Sequence, residues 1–367
     1  MSYINKYLRN FRPYKLASHK IWSVEDKDRK NILKLDWNEA TQMPSPLVSK
    51  SIKEFVNSND FYNYYPSTKN EELLKLIANY CRVDIDNIQY FSGSDSLHEY
   101  IAKMYIGVGD PVLIIGPTYD NFRLTAEVNG ASLRFFEPNE EFIYDRKLLE
   151  EEIEKIRPSL IYLCNPNNPT GTSWEREYVE SLLQKFNDVM FLVDEAYYEF
   201  SGVSCAPLVM KYENILVSRT LSKAFALANF RFGYLIASKD NVNYISSIRN
   251  PKNITTLTQV AASAALSDIA YMQEYAKEVK AARSYFTIVV NEEFPFLHAY
   301  ESHGNFVLIK CRDHDLKMSL IKHFEDHDIF VRNVSQSKLV LNCFRITIGT
   351  KKQMDIVLSA MRSYFGK

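Results

Sequence analysis

Five short apolar runs constrain the fold of this chain more than any other feature: residues 111–116 (PVLIIG), 159–164 (SLIYLC), 189–193 (VMFLV), 214–218 (NILVS) and 231–237 (RFGYLIA). Each has strand length and lacks regular polar alternation, and as a set they are rich in β-branched residues, the pattern of strands buried on both faces. Helix-length amphipathic segments lie between several of them. Leu148, Leu149, Ile153 and Ile156 fall on one helical face, as do Val179, Leu182, Leu183 and Phe186. Strand and helix in alternation predict an α/β architecture, a mostly parallel sheet covered by helices. Beyond about residue 250 the pattern changes. A long helical stretch (255–291) precedes FVLIK (306–310), a helix near 315–327, IFVRN (329–333), FRITIG (344–349) and a final helix. That order predicts a smaller α+β domain. The reading divides the 367 residues into an N-terminal arm (1–35), a large domain (36–250) and a small C-terminal domain (251–367), in keeping with roughly 100–200 residues per domain.

Composition narrows the function classes. With 44 Lys+Arg against 45 Asp+Glu, the chain lacks the basic excess of an electrostatic nucleic-acid binder. No apolar stretch approaches the roughly 18–20 residues that span a bilayer, and the polar start MSYINKYLRNFRPYK lacks the apolar core of a secretory signal. Cys81, Cys164, Cys205, Cys311 and Cys343 are scattered without a CxxC pair. That suits a reducing compartment and neither a disulfide scaffold nor a zinc cluster. The expectation is a cytoplasmic protein with no membrane or nucleic-acid partner. His323 and His327 share a helical face, as metal ligands would, but Phe324 stands where an HExxH motif has glutamate, and Glu325, Asp326 and Asp328 mark a solvated surface. No metal is expected. The charge-rich segments DRKNILK and KEVKAARS read as surface.

In open α/β sheets ligands bind beyond the carboxyl ends of the strands. There the chain carries Asn165-Pro166-Asn167-Asn168-Pro169-Thr170-Gly171, Asp194-Glu195-Ala196-Tyr197, Arg219-Thr220-Leu221-Ser222-Lys223 and Pro117-Thr118-Tyr119. Gly93-Ser94-Asp95 opens a helix, whose first backbone N–H groups suit an anion. Amide, carboxylate, amine, hydroxyl and aromatic groups thus converge at one edge of the sheet.

NPNNPTG, DEAYYEF, SRTLSKAFAL, RFGY and FRITIG, taken in this order and spacing, resemble the fold type I pyridoxal-phosphate (PLP) aminotransferases, above all the histidinol-phosphate aminotransferase branch. The resemblance implies a PLP-transferase fold, a homodimer, and transfer of an amino group between L-glutamate (or 2-oxoglutarate) and a small phosphorylated carbonyl substrate. It implies that Lys223 carries PLP as a Schiff base and later moves the proton. Asp194 is implied against the pyridine nitrogen, with Asn168 and Tyr197 donating to the phenolic oxygen and Tyr119 stacked on the ring. Ser94, Asp95, Ser222 and Arg231 are implied around the phosphate, with Tyr65 reaching it from the partner subunit. Arg345, Arg332, Asn305 and Tyr14 are implied on the substrate side. One departure stands out: the family has glycine two residues before that phosphate arginine, and this chain has Asn229. The alternative on the same machinery is a decarboxylase of the threonine-phosphate type. Asn38-Glu39 in LDWNEA resembles the aminotransferase branch instead. A ligand-sensing, non-catalytic relative is disfavoured by the presence of Lys223, Asp194 and Tyr197 together.

Overall fold

The computed structural model describes residues 3, 13, 20–25, 29–58, 62–335 and 337–367. The strands are β1 (Leu33–Leu35), β2 (Ile88–Phe91), β3 (Pro111–Ile115), β4 (Ser132–Phe136), β5 (Leu160–Cys164), β6 (Met190–Asp194), β7 (Ile215–Thr220), β8 (Gly233–Ala237), β9 (Leu297–Ala299), β10 (Phe306–Cys311), β11 (Ile329–Asn333) and β12 (Cys343–Thr347). The helices are α1 (Pro46–Ser58), α2 (Glu71–Cys81), α3 (Gly93–Tyr105), α4 (Asp120–Val128), α5 (Arg146–Ile156), α6 (Arg176–Lys185), α7 (Tyr198–Ser201), α8 (Lys239–Ile248), α9 (Thr256–Leu266), α10 (Ile269–Glu293), α11 (His314–Asp326) and α12 (Lys351–Phe365).

Seven strands form one sheet in the order β2-β8-β7-β6-β5-β3-β4. All its pairings are parallel except those of β8, which runs antiparallel to β2 and β7. The apolar runs without alternation are explained by burial on both faces. Leu160, Tyr162 and Cys164 join one core with Leu97 and Ile101 of α3, Phe122 of α4 and Val242 of α8. The intervening Ile161 and Leu163 point into the larger core, with Val179 and Leu183 of α6. After β3 the chain moves to one side of the sheet, and after β5 to the other, so the crevice at their carboxyl ends is a topological switch point.

The second sheet has the order β1-β11-β12-β10-β9. Its first strand comes from the segment read as the end of the arm: Leu33, Lys34 and Leu35 pair in parallel with Ile329, Phe330 and Val331. This pairing carries residues 36–39 across the face between the two sheets.

Local chemistry sets two further departures. The 255–291 stretch is two helices, broken at Ser267-Asp268, where the Asp268 carboxylate accepts from the Ser45 hydroxyl at 2.5 Å. There the Ser267 hydroxyl donates to the Ser263 carbonyl at 2.8 Å, and a side chain bonded to its own backbone competes with helix continuation. On α5, Leu149 and Ile153 are buried but Leu148 is 53% exposed. At 3.6 residues per turn Leu148 lies about 100° from Leu149 and about 140° from Ile153, at the margin of the apolar stripe, and faces solvent.

Candidate active site

The end of β6 is the most enclosed part of the site. Parallel register sets Asp194 between Cys164 of β5 and Ser218 of β7. The Asp194 side chain is buried, and three donors reach it: the Tyr162 hydroxyl to Oδ2 at 2.9 Å, the Ser218 hydroxyl to Oδ1 at 3.2 Å, and the Ala196 backbone N–H to Oδ1 at 3.2 Å. A carboxylate has about four lone-pair sites, so an acceptor position remains on Oδ2. His98 of α3, fully buried, places Nε2 2.9 Å from Ser218 Oγ and 3.9 Å from Asp194 Oδ2.

Lys223 follows β7 and is part-buried. Its Nζ donates to the Trp37 carbonyl at 2.9 Å and lies 5.7 Å from the centre of the Tyr197 ring. Burial, reinforced by the nearby Arg345 charge and opposed by Glu39 and Asp95, lowers its pKa from 10.5 to about 8. About a tenth of the amine is therefore unprotonated at pH 7, far more than for an ordinary lysine, as a nucleophile requires. The Tyr197 oxygen accepts from Asn38 Nδ2 at 3.0 Å and Asn168 Nδ2 at 3.1 Å. With both acceptances coming from protein amides, its own proton is left to donate. Burial pushes the phenol pKa upward, so that proton stays on.

At the start of α3 the Ser92 side chain makes no capping bond to the helix, leaving the first N–H groups to another acceptor. Gly93 has φ +82°, and a Cβ there would lie 2.7 Å from an Arg231 guanidinium nitrogen; a Cβ on Gly233 would lie 2.5 Å from the Ser94 N. Glycine at these two positions keeps open a cradle lined by amides and a cation. Arg231 reaches Asp95 Oδ2 at 3.5 Å, and Asp95 Oδ1 accepts from the Tyr119 hydroxyl at 3.2 Å. The single Thr220 hydroxyl proton goes to the Phe232 carbonyl at 2.9 Å, so the Thr220 oxygen accepts from the Ser222 hydroxyl at 2.8 Å. Asn229 has an exposed side chain. The donor set fits a phosphate, the Asp194 acceptor position fits a protonated ring nitrogen, and the Tyr197 donor fits a phenolic oxygen.

The second sheet closes the other side. Arg332 of β11 and Arg345 of β12 are directly opposed across an antiparallel pair, so both side chains leave the same face. Arg345 is buried and donates to Asn168 Oδ1 at 2.6 Å and to the Asp36 carbonyl at 2.5 Å. Asn305, fully buried, donates to the Asn38 carbonyl at 3.0 Å. Tyr65 stands apart: it is 77% exposed, with Lys252 Nζ 4.3 Å from its ring centre. Tyr14 lies outside the described residues.

The sequence reading missed five participants: Trp37, Asn38, His98, Tyr162 and Ser218. Asn38 stood in the LDWNEA segment already singled out, and Tyr162 shares a β5 face with Cys164. His98 sits one helical turn after Ser94. No local pattern marked Trp37 or Ser218. His323 donates to the Ala360 carbonyl at 3.0 Å, and His327 Nδ1 to the His323 carbonyl at 2.8 Å. Among the described residues no helix is long and apolar enough to cross a membrane.

The family model for aminotransferase class I and II matches residues 30–361. A dihydroxyacetone phosphate transaminase of Campylobacter jejuni is 42% identical over 367 residues, covering 99% of this chain and 97% of that protein. A histidinol-phosphate aminotransferase of Ruminiclostridium cellulolyticum is 32% identical over 362 residues, 98% of this chain and 97% of the other. Among solved structures, the histidinol-phosphate aminotransferase from Sinorhizobium meliloti in complex with pyridoxal-5'-phosphate superposes with a TM-score of 0.86 at 23% identity, over 99% of both chains.

Proposed function

The chain belongs to the class I and II aminotransferases, so it is a PLP-dependent transaminase, and from that premise we propose that it passes an amino group from L-glutamate to a small phosphorylated ketone or aldehyde. The observation that carries the substrate reading is the Arg332–Arg345 pair, two cations opposed on one face, one of them bonded to Asn168 beneath the cofactor site. A phosphate offers three acceptor oxygens and nearly two charges to such a pair, where a carboxylate satisfies a single fork. The two relatives named for dihydroxyacetone phosphate and histidinol phosphate support a phosphorylated substrate.

Bound PLP supplies a ring that accepts the electron pair left when the substrate's α-carbon loses its proton. Lys223, with its amine partly unprotonated, would hold the cofactor and carry that proton; the Trp37 carbonyl fixes Nζ. Asp194 keeps the ring nitrogen protonated through the acceptor position on Oδ2. Tyr197 and Asn168 would donate to the phenolic oxygen, with the Tyr119 ring beside the cofactor. Ser94, Asp95, Ser222 and Arg231 form the phosphate cradle, while Asn305 acts through Asn38 to hold the floor of the substrate pocket.

The exposure of Tyr62, Tyr64 and Tyr65 supports a homodimer in which Tyr65 completes the partner's phosphate site. Five free, buried cysteines support a cytoplasmic location. The boundaries at residues 36 and 251 remain our division of the chain, with Leu33–Leu35 assigned to the small domain by its pairing.

A panel of amino acceptors with glutamate as donor tests the substrate. A phosphorylated ketone or aldehyde should give the highest kcat/KM. An unphosphorylated keto acid outperforming every phosphorylated acceptor would reject the phosphate pocket and leave the transaminase assignment standing.

A further inference from the structure

We propose that His98 is a positioning residue for the ring-nitrogen end of the cofactor site, fixing the Ser218 hydroxyl and, through it, the Asp194 carboxylate. The inference rests on the assignment of Asp194 to the ring nitrogen made above.

His98 lies on the buried face of α3, beside Leu97 and Ile101, with no exposed surface. A polar ring among aliphatic side chains costs free energy unless it is hydrogen-bonded. Its bond is to Ser218 Oγ at 2.9 Å. Ser218 has one hydroxyl proton, and the Asp194 carboxylate 3.2 Å away only accepts. The proton therefore goes to Asp194, and the Ser218 oxygen accepts from His98 Nε2–H. Direction is set along the whole chain: Nε2–H to Ser218 Oγ, then Oγ–H to Asp194 Oδ1. His98 Nδ1 is buried without a partner. In this tautomer it is an unpaired acceptor.

The imidazole is also clamped. It stands edge-on to Phe122 and to Tyr162, 5.8 Å between centres in each case, and Phe122 stacks on Tyr162 at 4.3 Å. Tyr162 is the residue that donates to the other oxygen of Asp194. Both hydroxyls that orient the carboxylate thus rest on His98, which itself lies behind Asp194 and touches no substrate. Without His98 the Ser218 hydroxyl loses the partner that fixes it and holds Asp194 Oδ1 less firmly, and a carboxylate less firmly hydrogen-bonded holds a proton more readily. Removing His98 therefore shifts the proton shared with the ring nitrogen toward Asp194.

The test uses holoenzyme reconstituted with PLP labelled with ¹⁵N in the ring, and the variants His98→Leu, His98→Gln, Ser218→Ala and Asp194→Asn. In His98→Leu the ¹⁵N resonance should move toward that of an unprotonated pyridine. kcat should fall by about five- to tenfold, the worth of one hydrogen bond, with KM within about twofold of wild type. His98→Gln, whose amide can stand in for Nε2–H, should recover at least half of the resonance shift. A wild-type resonance in His98→Leu, whatever its melting temperature, overturns the proposal, as does a glutamine variant no better than leucine. If His98→Leu fails to fold, Ser218→Ala should show the same direction of shift, and a wild-type resonance there overturns the proposal equally. An unmoved resonance in Asp194→Asn would instead sink the assignment of Asp194. A resonance that moves in Asp194→Asn but not in the other variants sinks only the role of His98.

Discussion

Asp194 and Arg345 are both buried at strands bordering one site, but they are held in different ways. Asp194 takes its donors from adjoining strands of its own sheet and from the turn that follows it: Tyr162, Ser218 and Ala196. Arg345 belongs to the second sheet and bonds across to Asn168 after β5 and to the Asp36 carbonyl after β1. The chemical end of the site is thus rigid within one sheet, where register alone aligns its groups. The recognition end depends on how two sheets are set against each other. On our assignment, substitutions in the first region should depress every substrate alike, and those in the second should discriminate among substrates.

The largest expected effect is on the chemical side. Lys223→Ala should lose roughly 10²–10⁴-fold in both half-reactions, the usual worth of a positioned proton carrier. It should also lose the visible absorption of the lysine-bound cofactor. A variant that takes up PLP and still absorbs like wild type would remove Lys223 from this role.

On the recognition side, Arg345→Ala should lower kcat/KM by roughly 30- to 1,000-fold, the scale for one partner of a buried charged contact. Arg332→Ala should impair the phosphorylated substrate more than glutamate, since Arg345 alone can still hold a carboxylate. Stopped-flow measurement of each half-reaction checks this, and equal losses in both halves would dissolve the contrast between the two regions.

A smaller effect follows from the lysine's burial. Its pKa is lowered from 10.5 to about 8 in the folded apoprotein, so the unfolded chain binds that proton more readily. The penalty on stability is present in full below about pH 8 and fades as pH rises toward 10.5. Lys223→Met apoprotein should therefore melt above wild-type apoprotein at pH 7, with the gap closing by about pH 10. Uptake of PLP by wild-type apoprotein should accelerate as pH rises through about 8. A gap that widens with pH would contradict the sign.

The smallest effect concerns the surface. Tyr65→Phe should weaken PLP retention by about 1 kcal/mol, one hydrogen bond's worth, measured by cofactor dissociation from the dimer. A fully active monomer in sedimentation under assay conditions would rule out the composite site.

The strand ends were legible because their information is local. Each apolar run predicts a buried strand, and the motif after it necessarily lies at that strand's carboxyl end, which is how Asn168, Asp194 and Lys223 are ordered along one sheet edge. The same reading misjudged Leu148, which lies at the margin of the α5 apolar stripe and faces solvent. It also ran α9 and α10 together, because the apolar pattern carries no mark of the non-helical backbone at Asp268.

The chain's own pattern of apolar runs, helical faces and ordered motifs determined the α/β class, the mostly parallel sheet and which residues stand at its carboxyl edge, since periodicity and strand termini are properties of short stretches. Only the tertiary structure decided that Leu33–Leu35 pairs with Ile329–Val331, that Asn38 reaches Tyr197 across 159 positions, and that His98 stands behind Asp194 through Ser218, 120 positions away. Such contacts are chosen by which faces pack together once the sheets are formed, and no window of sequence shorter than the domain contains both partners.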